Sequence, residues 1–88
     1  MKYELKFDKR VKKQIPNINS AKLGKKLSAL LDIIEINPFQ QPPEYEALIG
    51  DKKGFYSRRI NHQHRLVYSV DESTHTVWVE SCWSHYDY

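Results

Sequence analysis

Two runs of alternating residues, separated by a short polar break, constrain this chain more than any other feature. They occupy "GFYSRRINHQHRLVYSV", Gly54 to Val70. Period-two alternation is the mark of a strand with one buried face. The break at Asn61-His62-Gln63 has the length of a hairpin loop, so the stretch is expected to form an antiparallel pair. With a three-residue loop, Ile60 falls opposite His64 and Arg59 opposite Arg65. The hairpin also carries Arg58 and His62. Like charges directly opposed on one face cost stability. An anion between them removes that cost, and the planar arginine fork matches phosphate oxygens. The alternative is that Glu46, Glu80 or Asp71 neutralises the pair in ordinary ion pairs.

Around this hairpin the chain reads in a simple order. "KYELKF" alternates Tyr3, Leu5 and Phe7 with charged residues, a short strand. Asp8 is placed to cap a following helix. "KRVKKQI" then has Val11 and Ile15 four apart, and Pro16 is expected to end that short basic helix. Asn19 or Ser20 is expected to cap a second helix. Its apolar stripe is Leu23, Leu27, Leu30, Leu31 and Ile34, at helical spacing. Gly24 weakens it slightly and suits close packing. The pattern stops at Asn37-Pro38. The prolines of "PFQQPPEYEAL" exclude helix and central strand, leaving a loop and a short extended piece around Tyr45 to Leu48. Asp71 to His75 is a polar turn. "TVWVESCW" is the last long strand, with Val77, Val79, Ser81 and Trp83 expected on one face.

The expected fold is α+β, in the order β-α-α-β-β-β. Two N-terminal helices cover one face of a mainly antiparallel twisted sheet, and the other face stays open. With 88 residues and no repeat or linker, residues 1–88 are expected to form one domain. One cysteine, Cys82, excludes an internal disulfide and suits a reducing cytoplasm. No apolar run reaches the roughly 18 residues of a membrane helix. The opening segment has no signal-peptide core. A soluble, cytoplasmic protein is the expectation.

The net charge is +3, a mild lean toward anionic partners. Lys9, Lys12, Lys13, Lys22, Lys25 and Lys26 crowd the first third, and the remaining basic signal lies between Lys52 and Arg65. Any single lysine of this set suits a solvated helix face; the clustering suits a nucleic-acid backbone. Glu46 enters the sheet from the proline-rich loop, and His85 follows the last strand. A carboxylate, a histidine and arginines on neighbouring strands are what metal-free RNA cleavage requires. A base takes the ribose 2′-hydroxyl proton, an acid protonates the departing 5′-oxygen, and cations hold the charge on phosphorus. Histidine suits the acid role because it titrates near neutrality. Tyr56 and Tyr86 flank these positions, where a ring can stack on an unpaired base or simply pack. Cys82-x-x-His85 has zinc-like spacing. A structural zinc site takes two such motifs, so no metal or other cofactor is expected.

The "SRRINHQHRLVY" core, with upstream "PEYEAL" and terminal "SHY", resembles the Txe/YoeB branch of the RelE-like bacterial toxins. The resemblance runs from about Pro38 to Tyr86. It implies a RelE-like, microbial-ribonuclease-like fold. It also implies a type II toxin that cleaves mRNA on the ribosome and a cognate antitoxin that blocks it; a homodimer is compatible. Matched by position, Glu46 is the general base, Arg65 the catalytic arginine and His85 the general acid. Arg59 is a second phosphate-binding arginine, and Tyr86 follows the acid. Arg58 and Tyr56 join the expected substrate contacts, and the six helix lysines become ribosome contacts. The sequence departs from the family in three respects. Ile49 stands where a lysine is usual, with Lys52 and Lys53 as nearby substitutes. Trp83 and Ser84 replace a basic residue and an aromatic. Asp87 and Tyr88 extend past His-Tyr. A non-catalytic protein of the same fold and an ordinary RNA-binding domain are the competing readings.

Overall fold

The computed structural model describes residues 2–84. The order is β1 (Glu4–Phe7), α1 (Lys9–Ser20), α2 (Gly24–Ile36), β2 (Tyr45–Ala47), a 3-10 turn (Gly50–Lys52), β3 (Phe55–Arg59), β4 (Arg65–Asp71) and β5 (Thr76–Ser84). The five strands form one sheet in the order β1-β5-β4-β3-β2. β1 runs parallel to β5, and every other pair is antiparallel. The extended piece after the proline-rich loop is thus a true edge strand, β2. An edge is where a strand following prolines can be tolerated. None of the described helices is long and apolar enough to cross a membrane.

The helix boundaries differ from those expected. Asp8 caps α1 by accepting from the Arg10 backbone N–H at 2.9 Å. Pro16, however, lies inside α1, which continues to Ser20. A proline removes one helical hydrogen bond and costs about 3 kcal/mol or more. Ile18, two residues beyond, is buried to 1% exposure and holds the extra turn against the core. Asn19 and Ser20 therefore belong to α1. The N-cap of α2 is Leu23, which makes no side-chain cap bond.

Leu23, Leu27, Leu30 and Ile34 are buried, and Leu31 packs against them at the margin. They meet Leu66 and Tyr68 of β4, with Val77, Val79 and Cys82 of β5, in a single core. The one-face assignment for β5 needs correction. The β4–β5 register shifts between the pairs Tyr68–Val79 and Val67–Ser81. One extra residue at this bulge reverses the alternation. Cys82, not Ser81, follows Val77 and Val79 into the core, and Ser81 lies opposite Val67. Burial pushes the Cys82 thiol up to about 11. A second shift separates the pairs Val67–Ser81 and Arg65–Ser84. There Gln14 of α1 accepts from the N–H groups of Cys82 (2.8 Å) and Trp83 (3.2 Å). It satisfies donors that the irregular ladder leaves over.

Candidate functional site

The hairpin closes as its sequence suggests. Ile60 N–H donates to the His64 carbonyl at 2.9 Å, and Arg59 pairs with Arg65. Asn61 shapes the turn: its Oδ1 accepts from the N–H groups of Gln63 (2.9 Å) and His64 (2.6 Å). Alternation then sorts the side chains of β3 between two faces.

Arg58 goes to the helix side. It is 1% exposed, and its guanidinium is fully employed there. Nε donates to the Tyr68 hydroxyl at 3.0 Å and Nη1 to the Pro43 carbonyl at 2.5 Å. Nη2 donates to the carbonyls of Pro38 (3.0 Å) and Gln40 (2.9 Å). The charge also sits 5.1 Å from the Tyr45 ring centre. Tyr56 lies on the same side, edge-on to Phe39 and Tyr45 and tilted against Tyr68. The expectation that Arg58 contacts substrate is therefore corrected, while the Tyr56 ring stays half-buried. Both point away from the open face, and together they lock the proline-rich loop over the sheet.

The face away from the helices, termed the open face, carries the other set, although its centre is closed: Ser57, Val67 and Ser81 are fully buried. Register places Glu46, Ser57, Val67 and Ser81 in one row across β2, β3, β4 and β5. Arg59, Arg65 and Ser84 form the adjacent row. Arg65 Nη1 donates to Ser57 Oγ at 3.2 Å, which carries the guanidinium toward the Glu46 row. Only β3 separates the strands of Glu46 and Arg65, so their backbones run about 10 Å apart. Glu46 and Arg59 are exposed and Arg65 is half-buried. Two of the three acids weighed as neutralisers are committed elsewhere. Glu80 pairs with Lys52 at 2.6 Å and Arg10 at 3.3 Å, and its Oε2 is buried without a hydrogen-bond partner. Asp71 accepts from the Ser73 hydroxyl and from the Ser73 and Thr74 N–H groups, which lowers its carboxyl pKa.

β5 ends beside Arg65, where Ser84 is its register partner. His85 and Tyr86 come next in sequence and lie outside the described residues. The approach to them is well anchored. The Trp83 ring stacks on His64 with centroids 3.6 Å apart and planes 14° from parallel. His64, Trp83 and Gln14 thus fix the strand end that leads to His85. Sequence alone did not single out Gln14 or Ser57, since nothing in a lone polar residue announces its partner. Lys53 is exposed near Ile49, which is also exposed, while Lys52 is held by Glu80 and lies 5.4 Å from the Phe55 ring centre. Lys9, Lys12 and Lys13 on α1, Lys22 in the turn between the helices, and Lys25 and Lys26 on α2 are all exposed.

The chain is similar to known proteins over most of its length. The family described as the YoeB-like toxin of bacterial type II toxin-antitoxin systems matches residues 3–86. Toxin YoeB of Synechocystis sp. is 37% identical over 68 residues, 77% of this chain and 77% of that protein. The YoeB/ParE toxin from Agrobacterium tumefaciens superposes with a TM-score of 0.84 at 29% identity, over 94% of this chain and 99% of that one. The YoeB-YefM complex from Staphylococcus aureus gives 0.78 at 32% identity, over 98% and 100%. Fold, hairpin register and these likenesses converge: this chain belongs to the YoeB-like toxins of bacterial type II toxin-antitoxin systems.

Proposed function

We propose that this toxin is a ribosome-dependent endoribonuclease that cuts mRNA and so stops translation. The observation that carries the reading is the register of the open face. Glu46 shares a row with Ser57, Arg65 reaches that row from the next one, and β5 delivers its end beside Arg65. In this mechanism Glu46 removes the 2′-hydroxyl proton of the nucleotide before the scissile bond. The 2′-oxygen attacks the adjacent phosphorus, and the bond from phosphorus to the 5′-oxygen breaks. His85 gives its proton to that leaving oxygen. The products are a 2′,3′-cyclic phosphate, which water opens to a 3′-phosphate, and a free 5′-hydroxyl. Proton transfers of this kind each contribute typically about 10²–10⁴-fold. Arg65 and Arg59 hold the charge that builds on the phosphoryl oxygens, a stabilisation on the order of 10²–10³-fold per donor. The exposed lysines of α1 and α2 bind ribosomal RNA through its backbone, and Lys53 with Tyr86 completes the substrate contacts.

A cognate antitoxin is the inhibitory partner, as the YefM-bound relative suggests. The setting is the cytoplasm, where ribosomes are. The test is an mRNA with 2′-deoxyribose at the cut position, presented on programmed ribosomes. Cleavage should vanish on it, and on normal mRNA it should vanish with Glu46→Gln or His85→Gln. Cutting of the deoxy substrate at the same bond would sink the 2′-hydroxyl mechanism and both proton-transfer roles.

A further inference from the structure

One row on the open face remains outside this chemistry. Phe55 pairs with Ser69, Ser69 with Trp78, and Trp78 with Lys6 of the parallel strand β1. Along β3 and β4 it lies two residues from the Glu46 row, a step of about 6.6–6.8 Å. Trp78 is 45% exposed, an unusual state for the largest side chain on a sheet face. Cations lie over or beside the rings, each also paired with a carboxylate: Lys6 with Glu4, Arg10 with Asp8 and Glu80, and Lys52 with Glu80. Lys6 Nζ is 5.2 Å from the Trp78 centroid and Lys52 Nζ is 5.4 Å from that of Phe55. Arg10 and Glu80 close one side of a cleft of about 290 Å³, whose wall includes Phe55, Ser69 and Trp78. Glu80, bound by both Arg10 and Lys52, keeps these two cations at the rim rather than free in solvent.

Exposed aromatic rings set among cations are the two elements of sequence-tolerant binding to single-stranded nucleic acid. The rings stack on bases and the cations follow the backbone. We propose that Trp78, with Phe55, is a stacking subsite for an unpaired base of the RNA that lies beyond the two nucleotides joined by the scissile phosphate. Trp78 lies one strand over and four residues along from Arg65, a backbone separation of about 14 Å. A base entering the subsite displaces Lys6 from the Trp78 face onto the phosphate of that nucleotide. Because every base has a π-face, the subsite adds affinity without selecting sequence. Its choice of ligand rests on the nuclease reading above.

The test uses the intact toxin and a short single-stranded RNA with every ribose 2′-O-methylated, which cannot be cleaved by 2′-hydroxyl attack. Binding is followed by fluorescence anisotropy. Stacking on one ring is worth about 1–3 kcal/mol, so Trp78→Ala should bind roughly 5- to 150-fold more weakly. Trp78→Phe should stay close to wild type. An oligonucleotide scanned with single abasic sites should show one position whose loss weakens wild type but not Trp78→Ala. Urea midpoints confirm that each variant is folded. Equal RNA affinity of wild type and Trp78→Ala overturns the proposal. So does an abasic scan identical for both proteins. A Trp78→Ala variant that keeps RNA affinity but loses the cognate antitoxin reassigns the face to a protein partner and also overturns it. Trp78-dependent binding by a wild-type toxin that never cleaves supports the subsite and defeats the nuclease reading. Cleavage with no Trp78 dependence does the reverse.

Discussion

Replacing Arg58 with alanine should weaken the fold while leaving the open face untouched. The guanidinium makes four hydrogen bonds, to the Tyr68 hydroxyl and the carbonyls of Pro38, Gln40 and Pro43. After truncation, Pro38 still receives the Tyr68 hydroxyl at 2.7 Å. The carbonyls of Gln40 and Pro43 lose their arginine donor. A buried acceptor left without a donor costs about 1–3 kcal/mol, so two cost about 2–6 kcal/mol. Gln40 is exposed, and water reaching it pulls the figure toward the lower half. A domain of 88 residues has a total stability of roughly 4–13 kcal/mol, at about 0.05–0.15 kcal/mol per residue. Arg58→Ala should therefore remove a large share of it. Arg58→Lys should recover less than half of the loss, because an ammonium donates from one point and cannot span the separated acceptors. The assay is urea unfolding followed by tryptophan fluorescence, with exposed Arg59→Ala as the control expected to shift stability by less than about 0.5 kcal/mol. An Arg58→Ala variant within about 1 kcal/mol of wild type would refute the clamp. Loss of RNA binding at unchanged stability would restore Arg58 to the substrate contacts.

Three further outcomes follow from the same structure. Leu27→Ala and Leu30→Ala should each cost about 2–5 kcal/mol, measured by urea midpoint, because both side chains are buried between helix and sheet. Cys82 should resist thiol reagents in the native state at neutral pH. Its folded pKa is raised from 9.0 to about 11, so its contribution to stability is complete below pH 9 and is lost as pH rises through about 11. Cys82→Ala should flatten unfolding free energy against pH in that window, and identical slopes in the two proteins would contradict the shift. Burial also raises the Tyr68 pKa, but in both proteins, so the difference between them isolates the thiol. Reversing charge at Lys12 and Lys13 should weaken ribosome binding more at low salt than at high salt, since phosphate contacts release counterions. Unchanged affinity in a ribosome pelleting assay would remove α1 from that interface.

How much of this was legible in the sequence depended on whether the signal was local. The hairpin pairs Arg59 with Arg65 because its own alternation and loop length fix the register. The α2 stripe was readable because Leu23, Leu27, Leu30 and Ile34 repeat at the helical period. Pro16 misled because its cost is local, whereas the burial of Ile18 that overrides it is tertiary. The alternation of β5 failed at Glu80 and Ser81 because a bulge inserts a residue without any composition that marks it. Arg58 and Arg59 are adjacent and chemically identical, yet one is a buried clamp and the other an exposed cation. Their pleat positions separate them, and assigning those positions to a face needed the loop of Pro38 to Pro43 in place. Glu46 and Arg65 fall on the same side of the sheet. The catalytic roles proposed for them came from the family resemblance, not from spacing.

The position of β5 has a consequence for how the toxin is made. It is the last strand in chain order, yet it lies between β1, the first, and β4. While synthesis has reached only β4, β1 has no neighbour to pair with, and the helices that follow it have no completed floor to cover. Contacts between the two ends of a chain are the slowest to form, because the longest loop must close first. The Arg65 end of the open face is assembled in the same final step, since Ser84 is its strand partner. A ribosome producing this protein therefore holds no complete sheet until β5 has left it. Emergence of β5, rather than of any earlier element, sets when the sheet is first complete and when an inhibitor must be at hand.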